Sequence, residues 1–574
     1  MSYNKKTWVS GETITKEALN NIENGIAILD ENQNNAITVN SLKNSLENIY
    51  SEGDFIKIEG YYERGDCPSH IRIIESLDDG SGIQLNNGLY ANIVHDGYIH
   101  VGWFGAISNN TTDYKNDEMQ KFCDYIVSSN AKHFDFGAKD IYVTEPLGIV
   151  FTGNGGHKII ESNGCRIYSK PTVSEPCLKI GIETEEYATL QNIRVKNLEI
   201  HASGVQSDAL KIYSKGAGSC AFWNSSFENI KIKTSKGKGI GIYNGVFECR
   251  FSHLRIDHKK AGEESYAENT DVLDNNDICL YLCNEAGNNI ISSLRFEFLN
   301  TWGGYNSVRT ATVGGYAPDF SCDEVHLFSP MQEAMWLSNQ QHFSYVSKVH
   351  IEFAGYNQST PYWGIRWIGY GHIDGCEGGG PNMLGYVRTY STSPVYPLVI
   401  NGCGKPTQLH SSSLGYINPH TEATGVIQTD CDISHIAFPN NSAGTVICKI
   451  NGKRAHVQMS NIDSRLNMEV NNIDGTIHST HEGIDNNVMF SKINNKGIFG
   501  GQTNLEDLDF TNTSTIMKYD VGNGEQAHVK LGFFDAEAIT KPTVSGSDGG
   551  NNALKSLISA LTSLGLINDS TTKE

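Results

Sequence analysis

The sequence predicts an all-β chain built as a parallel β-helix, with short helical segments at both ends. Three observations lead there. A short apolar-x-apolar unit recurs through the middle of the chain, glycine reaches 58 of 574 residues, and only 19% of residues are charged while 10% are aromatic. That composition suits many short strands joined by tight turns better than helical bundles.

From about residue 190 to 353 the unit reads NLEIH (197–201), NIKIK (229–233), HLRID (253–257), SLRFE (293–297), EVHLF (324–328) and KVHIE (348–352). Its first apolar positions, 198, 230, 254, 294, 325 and 349, lie 24 to 40 residues apart. Irregular spacing with a floor of 24 is what a solenoid produces when loops are inserted into some of its coils. The long intervals place those insertions at about 259–288 and 300–320. The competing reading is a β-sandwich whose strands resemble one another by chance.

The ends differ from the middle. Leu19, Ile22, Ile26 and Leu29 form an apolar seam at helical spacing behind a capping Thr15, and the spacing returns at Val39, Leu42, Leu46 and Ile49. Segments this short need a partner, either the chain's own body or the same helix of another copy. At the other end Leu554, Leu557, Leu561 and Leu564 repeat the pattern, Gly565 is placed to stop the helix, and KPTVSGSDGGNN before it reads as a flexible linker. Seams at both ends of a β-rich chain lead us to expect a homotrimer. The expected divisions are a helical attachment segment (1–52), a small β linker domain (53–100), the β-helix with a capping helix (101–400), a C-terminal β region whose fold is unreadable (401–530), and a linker with the last helix (531–574).

Several classes are excluded. Lys and Arg number 44 against 65 Asp and Glu, a net charge of −21 that repels phosphate backbones and argues against nucleic-acid partners. No run of about 18 apolar residues could cross a membrane. The N-terminal residues contain Lys but no apolar core of a secretory signal, so the chain is expected to be made and assembled in a cytoplasm. The thirteen cysteines are scattered and form no CxxC pair, and Cys279 and Cys283 alternate with apolar residues, so they read as buried, reduced side chains.

Residues 101–147 read as a strand, a polar turn, a helix burying Met119, Phe122 and Ile126, and further strands. The order WFGA, a turn with TTDY, a helix containing Gln120, then FDFGAKDIYVTEPL resembles the opening of the pectate-lyase-like superfamily of right-handed β-helices, which includes many phage tailspikes; SNNTTDY stands where that family has Gly-Asp-Gly before its Thr-Asp. TWVSGETITKEALNNIENGI resembles the start of tail-fibre and baseplate-appendage proteins from phages of Gram-positive hosts. LGFFDAEAITKPTVSGSDGGNNALKSLISALTSLGLI resembles a C-terminal segment of phage tail and fibre proteins. These resemblances imply a right-handed helix capped at its first coil, in a virion appendage fixed to other tail or neck proteins through its N-terminus. Such an appendage binds and degrades a host-surface polysaccharide, capsule or wall teichoic acid. A non-enzymatic receptor-binding fibre, or a decoration protein with neither activity, has the same architecture.

With both apolar positions of each unit turned inward, one outward column reads Glu199, Lys231, Arg255, Arg295, His326, His350 and the next His201, Lys233, Asp257, Glu297, Phe328, Glu352. Asp257 and Glu297 then sit on neighbouring rungs between Arg255 and Arg295. Glycoside hydrolysis needs two carboxyl groups about 5 Å or about 6.5–9.5 Å apart. The arginines would favour ionised carboxylates, suited to a nucleophile, and Glu352 beside His350 would supply the proton. The bland alternative is a solvated salt-bridge ladder. A second candidate is GYGHIDGCEGGG (369–380), with Asp374 and Glu377 beside His372 in a glycine-rich bend. Trp302, Trp363 and Trp367 are candidate sugar-stacking residues or core, and the basic column suits an anionic chain. No motif demands a cofactor or a metal; Ca²⁺ stays open because some related polysaccharide lyases use it.

Overall fold

The computed structural model describes residues 37–44 and 50–408 apart from short internal stretches, the longest 259–272, then strands between 417 and 500 and most of 543–572. The chain divides into two units, 1–416 and 417–574. The seam expected over 13–29, with Leu46 and Ile49, falls outside the described residues.

In the first unit, Thr38 caps the short helix Val39–Lys43: its hydroxyl accepts from the Ser41 N–H while the Ser41 hydroxyl accepts from the Thr38 N–H. Val39 and Leu42 of that helix pack with Ile56, Ile58 and Ile74 of a four-stranded antiparallel sheet spanning Phe55 to Val94. One buried cation ties this sheet to the start of the coils. Arg72 is fully buried; its guanidinium donates to His70 Nε2 (3.1 Å), to the carbonyls of Ser81 (3.0 Å) and Ala91 (2.8 Å), and to the carbonyl of Trp103 (2.6 Å), which lies in the 3-10 turn Val101–Phe104 after the first strand of the coils. Four acceptors replace the water such a charge loses.

The coils start with strand Tyr98–His100, which pairs in parallel with His133–Asp135, and between the two runs helix Asn116–Ser128, whose buried face carries Met119, Phe122, Cys123, Tyr125 and Ile126, as the spacing in the sequence predicts. Gln120 closes the first exposed strand edge: its amide donates to the Gly148 carbonyl and accepts from the Gly148 N–H, both at 3.0 Å. Beyond it the described strands of this unit pair in parallel with the equivalent strand one coil on, in two stacks. The longer strands, such as Arg250–His258, Leu294–Trp302, Phe320–Phe328 and Tyr345–Glu352, alternate along the chain with the shorter Ile278–Asn284, Asn306–Thr312, Met335–Gln340 and Ile365–Gly369. This is the parallel β-helix; the sandwich reading is excluded because its sheets would be antiparallel.

Each long strand is bent by one left-handed residue. Asn197, Asn229, His253, Phe298, Glu324, Lys348 and Gly375 have φ between 50° and 81° and occupy the same place in successive coils. A left-handed non-glycine residue costs roughly 1–2 kcal/mol, so the bend persists only because the coils above and below impose it. Asn229 Nδ2 donates to Asn197 Oδ1 at 2.8 Å, part of that support. Inside the coil Phe227, Phe251 and Phe296 stack in one column, with centroids 5.0 and 4.8 Å apart and nearly parallel rings.

The bend corrects the sequence register. SLRFE (293–297) is the leg before the bend: Arg295 and Glu297 pair with Arg250 and Ser252, and the true counterpart of HLRID is FLNTW, with Arg255 opposite Asn300 and Asp257 opposite Trp302. Thr301 is buried at an inward position, so this coil lacks the second apolar residue that marks the others. The insertion expected at about 300–320 is mostly sheet, since Asn306–Thr312 is a strand of the shorter stack. GHIDGCEGG is likewise a strand, Gly371–Gly379, bent at Gly375.

In the second unit, Val426–Thr429, Val446–Gly452, Leu466–Asn472 and Val488–Asn494 pair in parallel, and so do Ile433–Phe438 and Arg454–Met459. The alternating parallel order therefore recurs where the sequence is unreadable. Thr543–Ser547 is a strand paired with Asn568–Thr572, inside a stretch that reads as a linker. On helix Asn552–Ser563 the buried residue is Ile558, whereas Leu554 and Leu557 are 40% and 54% exposed. All ten described cysteines are buried and none forms a disulfide. Among the described residues no helix is long and apolar enough to cross a membrane.

Phe251→Ala removes the middle ring of the buried stack, and a loss of about 3–5 kcal/mol in urea unfolding is expected. A second expectation concerns acid. Burial, with Arg72 adding to it, pushes the His70 pKa down from 6.5 to about 3, which keeps Nε2 free to accept from Arg72. The unfolded chain therefore takes up this proton first, so the stabilisation is complete above about pH 6.5 and drains away toward pH 3. The urea midpoint of His70→Gln should fall less steeply between pH 6.5 and 4 than that of the parent.

Candidate functional site

After each bend, two side chains per coil face outward on the longer stack. In the corrected register one column reads Glu199, Lys231, Arg255, Asn300, His326, His350, Glu377. The column beside it reads His201, Lys233, Asp257, Trp302, Phe328, Glu352. The surface has three zones.

The first is charged and satisfied by its own ion pairs. Glu199 meets His201 (2.5 Å) and Lys231 (3.0 Å), and both oxygens of Asp257 accept from Arg255 Nε at 3.1 and 3.0 Å. Asp257 is only 2% exposed. Glu297 lies on the other side of the bend, where Arg250 (2.5 Å) and Arg295 (2.8 Å) hold one oxygen each. Asp257 and Glu297 are thus not neighbours across a groove. Each sits in an arginine pair, and the carboxylate dyad expected from the sequence is not formed.

The second zone is aromatic. Trp302 and Phe328 lie 5.4 Å apart, Phe328 and His350 5.5 Å, His326 and His350 5.7 Å, and Phe298 and His326 5.8 Å. Trp302 and Phe298 are each 39% exposed. Phe298 escapes a reading of the sequence because it occupies the bend, which the apolar alternation does not mark. The column His253, Phe298, Glu324, Lys348 was the available signal, once FLNTW is aligned with HLRID.

The third zone carries acids. His350 places Nε2 3.0 Å from Glu352 Oε1 and Nδ1 3.1 Å from Glu377 Oε1, so one imidazole stands between two carboxylates. One ring and two hydrogen bonds separate them, a spacing in the range of about 6.5–9.5 Å that inverting glycosidases leave between acid and base. Asp374 is apart from this group, before the bend at Gly375, and accepts from the Tyr345 hydroxyl at 3.2 Å. Trp363 and Trp367 are core: they are 3% and 0% exposed, and the Trp367 indole donates to the Tyr370 carbonyl. Among the described residues no group of three or more His, Cys, Asp or Glu is arranged to hold a metal ion.

No protein-family model matches this chain, and no curated protein matches it either. Solved structures similar to it include the enzymatically active domain of bacteriophage CBA120 tailspike protein 2, 12% identical over 84% of this chain and 60% of that one, TM-score 0.35. Others are the gp42 tailspike of Acinetobacter phage vb_AbaP_AS12, 10% identical over 88% and 78%, TM-score 0.38, and the gp49 tailspike of Acinetobacter baumannii phage Fri1, described as a capsular polysaccharide depolymerase, 10% identical over 74% of each chain, TM-score 0.36. This chain thus spans less than two thirds of the CBA120 domain.

The ion pairs of the first zone differ in what their loss should do. Arg255→Ala strands the buried Asp257 carboxylate and should cost about 1–3 kcal/mol. Arg295→Ala leaves Glu297 with Arg250 on an open surface, and a change below about 1 kcal/mol is expected. Chemical denaturation of the two variants side by side checks the contrast.

Proposed function

We propose that the chain is a phage surface appendage, a tailspike or tail fibre, whose β-helix binds a host-surface polysaccharide. One observation carries the reading: Phe298, Trp302, His326, Phe328 and His350 form a continuous, partly exposed aromatic platform on successive coils. Strand spacing repeats it every ~4.8 Å, and an exposed aromatic face in a regular row offers sugar rings a stacking surface. The phage context rests on the three sequence resemblances, and the opening segment favours a Gram-positive host, with capsule or wall teichoic acid as the glycan. Attachment through the N-terminal segment to other tail or neck proteins, and assembly in the host cytoplasm, belong to the same reading. The exposed Leu554 and Leu557 favour a homotrimer, in which copies of the last helix would cover one another.

Glu352 and Glu377 support a second step, cleavage of the bound chain. Two acids at this separation, beside an aromatic wall, have the layout of a general acid and a general base. Asp257 and Glu297 are left with a structural role.

Purified protein incubated with capsules and wall polymers from a panel of Gram-positive strains tests both steps, with reducing ends, unsaturated uronate absorbance and released polyol phosphate as readouts. Binding should weaken about tenfold or more, 1.4 kcal/mol, in Trp302→Ala with Phe328→Ala. Cleavage should vanish in Glu352→Gln and in Glu377→Gln while binding persists. Binding without product makes the protein an adhesin, and an unaffected double aromatic variant sinks the platform.

A further inference from the structure

The four-stranded antiparallel sheet has two unlike faces. Its inner face, with Ile56, Ile58 and Ile74, is closed by helix Val39–Lys43 and by Arg72. Alternation along the strands turns the intervening residues outward, and the register sets Phe55 beside Ile73, and Ile71 between Lys57 and Val94. This outer face is apolar and uncovered among the described residues: Phe55 is 66% exposed, Ile71 47% and Val94 39%, and Leu77, on the loop after the second strand, is 78% exposed. Ile73 and Leu77 line a hollow of about 410 Å³. Large apolar residues bunched on one face of so small a sheet differ from the single exposed hydrophobics that any surface carries.

The rim of the hollow is acidic, with Glu52, Glu75 and Asp78. Among the described residues none of the three forms an ion pair. Glu75 accepts from the Asn92 amide at 2.6 Å, and Asp78 accepts from the Gly80 and Gly82 N–H groups at 2.8 and 2.7 Å, neutral donors that leave the negative charge in place. Lys121 feels Asp78, but its ammonium donates to the Gly82 carbonyl, and Lys57, the cation beside Ile71, is held by Glu59 at 3.2 Å. An apolar floor with an acidic rim fits an occupant that brings apolar side chains and cations together. The same face of a second copy brings the same acids and is repelled.

The chain carries such a segment. Residues 1–11, MSYNKKTWVSG, hold Tyr3, Trp8 and Val9 together with Lys5 and Lys6, and no acid. They lie outside the described residues, as do 259–272 and 501–542, but in those two stretches Asp and Glu outnumber Lys and Arg, four to two and seven to three. Val9 stands 28 positions before Ile37, where the described chain begins. A chain of that length can span up to roughly 90 Å, against the ~15 Å breadth of four strands. We propose that residues 3–9 dock in cis on the outer face of this sheet, with Trp8 in the hollow and Lys5 and Lys6 against its acids. The segment that sequence resemblance assigns to virion attachment then leaves the body from the sheet that Arg72 ties to the first coil, so one contact sets the direction of attachment and of the solenoid together. The docking site stands whether or not the aromatic platform binds a glycan.

The test replaces Phe55 in the full chain, or Leu77 should that variant fail to fold, by the photoreactive residue p-benzoylphenylalanine; both positions are exposed. Irradiation followed by peptide mapping is expected to join it to residues 3–9, in a product that keeps the mass of one chain under denaturing conditions. Lys5→Glu with Lys6→Glu should lower the yield severalfold, and so should Trp8→Ala, whereas Lys5→Arg with Lys6→Arg should keep it. Raising salt from about 50 to about 500 mM should lower the yield in the parent, because the charges that meet are at the surface. Cross-links to any other part of the chain, products with the mass of two chains, or no cross-link at either position overturn the proposal. A yield that the two charge reversals leave unchanged also overturns it.

Discussion

The register between coils governs the rest of the molecule. In a parallel β-helix each residue lies beside its counterpart one coil away, about 4.8 Å distant, so any property of a position is repeated as a column. Inside, the repetition yields the stacked rings of Phe227, Phe251 and Phe296. At the corner it yields left-handed residues, each affordable because its neighbours adopt the same bend. On the surface it converts single side chains into extended rows, which is how a chain with few charges can present long stretches of one chemistry.

That constraint also decides what could be read from the sequence. Where both inward positions are apolar, as in NLEIH, NIKIK, EVHLF and KVHIE, the coil announces itself, and the parallel β-helix is legible in those units alone. The coil at 294–302 does not, because its second inward residue is Thr301 and the leg before the bend, LRF, mimics the unit. A shift of five residues exchanged Glu297 for Trp302 beside Asp257, and with it a dyad for an aromatic neighbour. His326, His350 and Glu352 fell in the expected columns, because the coils that carry them obey the alternation. The strand bearing Glu377 has glycines at inward positions, so its side chain could be noted but not placed beside His350.

The two outer faces use arginine in opposite ways. On the longer stack Arg250, Arg255 and Arg295 lie near carboxylates two positions away or one coil away, and geometry makes each an internal ion pair. Such pairs on a half-exposed sheet add little stability, and they leave little charge for a ligand. On the shorter stack the same residue type is paired with an indole. An aromatic ring holds a guanidinium in place without neutralising it, so the stacking itself removes no charge from the face. What lies beside each arginine across the coils, a carboxylate on one face and an indole on the other, decides which contact it makes.

A solenoid also has to end, and its ends expose strand edges that invite unwanted pairing. Here the first edge is closed by chemistry that the sequence displays in part. The apolar spacing of Met119, Phe122 and Ile126 signals the covering helix, while the amide of Gln120 takes both backbone groups of Gly148 and fixes the helix at one height. Arg72 adds a second restraint by reaching from the antiparallel sheet to the Trp103 carbonyl. Because every later coil takes its register from the one before it, these contacts at the start set the alignment on which both outer columns depend.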